Sequence, residues 1–162
     1  MKLNLGCGEK KRAGYINVDI CGCPDVKCDL SKFPWPFADE SADEVFSEHW
    51  LEHVVDYERT ILEIHRILKP NGTIHAVVPY FKSPYFPWCL HIITCLRLGK
   101  AYPYLFNGRQ LFSDVNIRLG FYWPKWLKAI FSFLSHFSPL KWEMLGLPID
   151  EIEFNARKVA NV

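Results

Sequence analysis

The stretch Leu3-Asn4-Leu5-Gly6-Cys7-Gly8 is followed eleven residues later by Asp19, at the end of a second apolar run, Tyr15 to Asp19. Glycines in a strand-to-turn junction bring bare backbone close to something, and an acid beyond the next strand can accept hydrogen bonds from sugar hydroxyls. A nicotinamide dinucleotide is the first ligand to weigh. The third glycine of G-x-G-x-x-G is absent, because position 11 is Lys, and the acid comes well before the twenty-residue spacing of that fingerprint. The glycines could also serve only a tight turn, and Asp19 could be an N-cap or a surface acid.

Two further clusters carry chemical potential. In Ser47-Glu48-His49-Trp50-Leu51-Glu52-His53 the histidines are four apart and share a face if helical, as proton carriers do. The order does not make H-E-x-x-H. His49 is a candidate general base, against the plainer reading of a hydrogen-bonded structural histidine. Cys21, Cys23 and Cys28, with Cys7 as a fourth candidate ligand, invite zinc, but their spacing is not a common knuckle and no paired half follows. No metal is assigned.

The elements that must position these residues read as α/β. Lys2–Leu5 is predicted as a strand buried on both faces, and Tyr15–Asp19 as a second. Their connection is shorter than a parallel crossover normally takes, which leaves room for one helical turn over Glu9–Arg12. Strands follow at 25–30, 43–47 and 73–79, and the spacing of Tyr57, Ile61, Ile64 and Leu68 predicts a helix over 51–68, stopped by Lys69-Pro70-Asn71-Gly72. Leu111, Val115 and Leu119 predict a helix over 109–119 with Gly120 just past its end. Residues 150–159 alternate apolar and polar, as a half-exposed antiparallel strand would, with Trp142–Leu145 as its expected partner.

At 162 residues with 15% aromatic content the chain reads as one domain, 1–162, large enough for a real core. A net charge of +1 gives no nucleic-acid footprint. No signal peptide or membrane span is expected, and six cysteines suit a reducing compartment, so a soluble cytoplasmic protein is the default.

With these pieces in order the sequence resembles the class I S-adenosylmethionine-dependent methyltransferases, in particular small bacterial and archaeal ones that begin almost at the first strand. The likeness rests on "LNLGCG" at 3–8, "GYINVDI" at 14–20, "CDLSKFPWPFADESADEVFSEHWLEHV" at 28–54 and "ILEIHRILKPNGTIHAVVPYF" at 61–81. It implies a Rossmann-like methyltransferase fold: a mostly parallel seven-stranded sheet with an antiparallel last strand, here without the N-terminal helix usual ahead of the first strand. It implies S-adenosyl-L-methionine as cofactor, with Gly6, Cys7 and Gly8 turning beneath the methionine and ribose and Asp19 accepting from the ribose hydroxyls. By the same resemblance Ile20, Asp29 and Leu30 meet the adenine, and Ser47, Glu48 and His49 line the space near the methionine and methyl. Asp29 could instead cap a turn through Ser31-Lys32.

The resemblance further implies that the aromatic segments 80–107 and 120–140 form an acceptor-side lid or insertion. A small-molecule or lipid-like acceptor is expected. Peripheral membrane contact is weighed below the lid, because Trp126–Phe137 holds one Lys and no Arg. A homodimer is compatible with the sequence. The rivals are a methyltransferase-like binding module without activity and an NAD-dependent oxidoreductase.

Overall fold

The computed structural model describes residues 1–79, 110–120 and 151–159. Expectations that fall on 80–107, on 120–140 beyond Gly120 and on 142–145 lie outside them. Seven strands form one sheet: β1 (Lys2–Leu5), β2 (Ile16–Asp19), β3 (Val26–Lys27), β4 (Ala42–Glu48), β5 (Leu68–Pro79), β6 (Phe112–Gly120) and β7 (Glu151–Lys158). Their order is β3-β2-β1-β4-β5-β7-β6. β3 through β5 run parallel, and β7 pairs antiparallel with both β5 and β6. The expected Rossmann-like sheet, mostly parallel with an antiparallel last strand, is what forms.

One face of this sheet holds the core. Leu3, Leu5, Val18, Val45, Ile74, Ala76, Val78 and Phe154 are fully buried, packed with Ile61, Ile64 and Ile67 from the helix α1 (Tyr57–Ile67). The other face is polar. Asn17, Asn4, Phe46, His75, Asn155 and Asn116 stand in register across six neighbouring strands. Parallel sheets usually bury apolar side chains on both faces beneath crossover helices.

The β1–β2 connection explains part of this. The single helical turn expected over Glu9–Arg12 does not form; Lys10 N–H donates to Cys7 O at 2.8 Å, and a second turn, Tyr15 N–H to Arg12 O at 3.3 Å, leads into β2. Asparagines hold the loop instead. Asn17 Oδ1 accepts from Arg12 N–H at 2.7 Å and from Asn4 Nδ2 at 2.9 Å, and Asn17 Nδ2 donates to Asp25 Oδ2 at 2.7 Å. Asn4 is therefore buried, as both-face burial of β1 predicted, but by a polar network.

Other elements depart from the sequence reading. β3 is only Val26–Lys27, shorter than 25–30. The helix expected over 51–68 is split into a 3₁₀ turn, Leu51–His53, and α1. Val54 is extended, and Asp56 caps α1 by accepting from Arg59 N–H at 3.1 Å. Lys69-Pro70-Asn71-Gly72 does end the helix, yet it belongs to β5, and β4 shifts register opposite it. The helix expected over 109–119 is a strand, β6, with Gly120 as its last residue. Val115, Ile117 and Leu119 also repeat every second residue, and the open edge of β7 selects that period over the spacing of four. Asp114, at φ +51°, sits in the β6 register shift. β7 is flanked by β5 and β6.

Candidate functional site

The carboxyl ends of β1, β2 and β4 converge, the edge where open α/β sheets bind ligands. Gly6 and Cys7 N–H both donate to Val18 O, at 2.9 and 3.3 Å, so the glycine turn is tied to β2 as soon as β1 ends. Gly8 N–H then donates to Asp19 Oδ2 at 2.8 Å, and Cys21 N–H to Asp19 Oδ1 at 2.9 Å. Each carboxylate oxygen keeps lone-pair capacity for a further donor. Gly6 and Gly8 have φ of +68° and +51°, in the left-handed region that a side chain disfavours.

The two glycines differ in what surrounds them. A Cβ on Gly8 would meet nothing within 4 Å, so backbone here faces open space. A Cβ on Gly6 would lie 2.1 Å from Trp50 Cγ; that space is filled by the indole, which stands edge-on to Trp35. Trp50 is a site residue the sequence reading passed over, although it lies between the two histidines weighed there.

Asp29 makes the capping turn weighed as its plainer role, accepting from Ser31 N–H at 3.1 Å and Oγ–H at 2.6 Å, with Lys32 Nζ at 3.1 Å. These partners hold its carboxyl below the usual carboxylate range. Cys28 N–H bonds Asp19 O at 2.9 Å, so Asp29 and Leu30 are carried to the end of β2. Leu30 is buried and its carbonyl accepts from Trp35 Nε1 at 3.1 Å, whereas Ile20 is exposed. Leu30, Phe33, Trp50, Val54 and Thr60 line a mostly apolar hollow beside this edge. A smaller cleft lies on the other side of the glycine turn, between Cys7, Lys10, Arg12, Phe46 and Glu48.

After β4, Ser47, Glu48 and His49, expected near the methionine and methyl, meet three different surroundings. Ser47 points into the core, its Oγ without a hydrogen-bond partner. Glu48 faces Lys10 Nζ at 3.3 Å. His49 has φ +54°; its N–H donates to Val77 O at 2.9 Å and its Nε2 lies 3.0 Å from Glu151 Oε1. Glu52, buried and 3.5 Å from His49 Nδ1, is a second residue the sequence reading passed over; burial pushes its carboxyl up.

Cys21 and Cys23 are exposed thiols, whereas burial pushes those of Cys7 and Cys28 up. Among the described residues no group of three or more His, Cys, Asp or Glu is arranged to hold a metal.

This geometry has parallels in known proteins. Residues 3–76 match a family described as a methyltransferase domain. The chain is 32% identical over 80 residues to the ubiquinone/menaquinone biosynthesis C-methyltransferase UbiE of Geotalea daltonii, covering 49% of this chain and 29% of that one. To the Citrifermentans bemidjiense UbiE it is 25% identical over 131 residues, 70% of this chain and 51% of that protein. The chain thus spans about half or less of the curated relatives it matches. Among solved structures, an Archaeoglobus fulgidus SAM-dependent methyltransferase superposes with a TM-score of 0.60 at 16% identity, over 97% of this chain and 85% of that one. Haemonchus contortus phosphoethanolamine N-methyltransferase 2, solved in complex with S-adenosyl-L-methionine, gives 0.53 at 17% identity, over 98% and 48%. Motif order, the β3-β2-β1-β4-β5-β7-β6 sheet and these relatives together liken residues 3–76 to a methyltransferase domain and give the chain the Rossmann-like methyltransferase fold.

Proposed function

We propose that this chain binds S-adenosyl-L-methionine across the ends of β1, β2 and β3 and transfers its methyl to a small apolar ring acceptor of the quinol class. The observation that carries the cofactor reading is the pairing of an open-faced Gly8 with Asp19, whose two oxygens are fixed by backbone amides and can still accept. In this reading Asp19 takes the ribose hydroxyls, and Gly6, Cys7 and Gly8 give close backbone approach. Ile20, Asp29 and Leu30 border the adenine, with Glu48 beside the methionine and Ser47, its side chain turned into the core, offering backbone alone. The acceptor class is supported by the likeness to proteins named as quinone-biosynthesis C-methyltransferases.

Bound, the sulfonium supplies an activated methyl whose leaving group is a neutral thioether. The chain's own residues then have to hold the acceptor in line with it and keep water out. We assign acceptor cover to 80–107 and 120–140 within a single domain. His49 is the candidate base for an acceptor that must lose a proton. The setting proposed is the cytoplasm, with a homodimer and peripheral contact with a membrane surface compatible with a lipid-like acceptor. No helix among the described residues is long and apolar enough to cross a membrane.

A second reading, a binding module without turnover, draws on the polar sheet face, where half-buried His75 and Asn155 suit contact with another subunit better than a buried apolar layer. Side-by-side calorimetry with S-adenosylhomocysteine and NAD tests the cofactor. Binding of the first alone is expected, and binding of NAD alone overturns the proposal. Methyl transfer from labelled S-adenosylmethionine to a reduced 1,4-naphthoquinone separates enzyme from module.

A further inference from the structure

His49 stands at the ends of three strands. Its own N–H bonds Val77 near the end of β5, and its ring Nε2 reaches Glu151, the first residue of β7, which pairs with Pro79 and Gly120. Nδ1 points the other way, to Glu52 Oε1 at 3.5 Å. Glu52 is 5% exposed, its other carboxylate oxygen has no hydrogen-bond partner, and its remaining near neighbour is His53, 3.9 Å away. A buried carboxylate is costly unless something compensates it, and here the compensation faces the candidate base. Burial pushes the Glu52 carboxyl up while His53 and His49 pull it down.

We propose that Glu52 is a positioning residue that holds His49 by Nδ1 and so presents Nε2 to the methyl acceptor. Glu151 occupies the acceptor's place at Nε2. A neutral imidazole carries one ring proton, and the partner at one nitrogen decides which atom keeps it. With Glu52 accepting from Nδ1–H, Nε2 has its lone pair free. When the acceptor reacts, its electron pair forms the bond to the methyl, the methyl–sulfur bond breaks with its pair left on sulfur, and the acceptor's proton goes to Nε2. The resulting imidazolium is stabilised by Glu52 and can pass the proton to Glu151. Among the described residues, the charged and titratable groups facing the ring are Glu52 from the 3₁₀ turn and Glu151 from β7, with His53 on the far side of Glu52.

The inference rests on the methyl-transfer reading, but its first test does not need an acceptor. Long-range proton–nitrogen NMR of the His49 ring at mildly alkaline pH reads which nitrogen is protonated. The ring proton should follow the remaining carboxylate: Nδ1–H in Glu151→Gln and Nε2–H in Glu52→Gln. A Glu151→Gln protein that keeps the proton on Nε2, or a Glu52→Gln protein with the same ring signals as Glu151→Gln, overturns the positioning role. With 1,4-naphthohydroquinone as probe, Glu52→Gln should lower kcat at least tenfold while KM for S-adenosylmethionine stays within threefold. Unchanged kcat sinks the inference. No transfer by the parent protein sinks the quinol reading alone, and the ring signals still decide the role of Glu52.

Discussion

The Trp50 indole lies in the space that a side chain on Gly6 would need, its Cγ 2.1 Å from where the Cβ would fall. The glycine is therefore a packing requirement as well as a backbone one. Gly8, two residues on, has the same left-handed conformation with nothing beside it. The two positions should separate stability from binding. Gly6→Ala should cost about 2–4 kcal/mol, because strain adds to displacement of a half-buried aromatic. Gly8→Ala should cost about 1–2 kcal/mol, the strain alone, yet weaken S-adenosylhomocysteine binding. Thermal denaturation and calorimetry on both variants check the contrast; equal stability losses would contradict it.

Asp19 holds Gly8 and Cys21 N–H groups through different oxygens. Asp19→Ala removes both acceptors together with those offered to the ribose. Cofactor affinity should fall by about 1.5–3 kcal/mol, the scale for a hydrogen bond to a charged group. Asp19→Asn keeps one acceptor oxygen and should fall between. Calorimetric titration with S-adenosylhomocysteine measures both, and parent-like affinity in the alanine variant would remove Asp19 from the site.

How much of this was legible beforehand follows from what each residue's neighbours are. β1, β2, β4 and β7 were readable because apolar runs and strict alternation carry their own signal, and the glycine–acid pair was readable because its spacing is set by one short crossover. β6 was misread because Leu111, Val115 and Leu119 fit a helix while Val115, Ile117 and Leu119 fit a strand, and only the vacant edge of β7, formed by residues 151–158, decides. Trp50 and Glu52 escaped notice for the same kind of reason. Their roles come from Gly6, 44 positions earlier, and from a histidine ring whose other partner is Glu151. The loop that replaces the first crossover helix depends on Asn4, Asn17 and Asp25 meeting in space, which no local pattern announces.

The loop leading into β4 is clamped by a single buried carboxylate. Glu63 Oε1 accepts from Trp35 N–H at 2.6 Å and from Arg66 Nη2 at 2.6 Å, and Arg66 Nη1 donates to Phe37 O at 2.8 Å. Arg66 holds the Glu63 carboxyl below its usual range against the opposing effect of burial. Glu63→Ala leaves the Trp35 amide without its acceptor and Arg66 with Asp39 and backbone carbonyls as its remaining partners, and should cost about 1–3 kcal/mol. Because Trp35 supports Trp50, the variant should also blur the aromatic near-ultraviolet circular dichroism. Urea denaturation gives the energy, and a loss below 1 kcal/mol would show that the clamp is dispensable.

His65 on α1 gives the protein an acid-sensitive point away from the candidate site. Its ring meets Phe112 edge-on with centroids 5.7 Å apart, its Nε2 is buried without a partner, and burial pulls its pKa down to about 4, with Lys158 adding to the effect and Glu40 opposing it. A base whose folded pKa lies below its unfolded value binds fewer protons when folded. Stability is then complete above the unfolded value near 6.5 and falls as pH drops toward 4, because the unfolded chain takes up the proton first. The loss across that window should be about 1–2 kcal/mol, less than the full shift implies because the ring is partly open to solvent. His65→Leu, which keeps apolar contact with Phe112, should flatten the pH dependence between 6.5 and 4 relative to the parent. Denaturant midpoints across that range measure it, and parallel curves for the two proteins would show that the proton is taken up elsewhere.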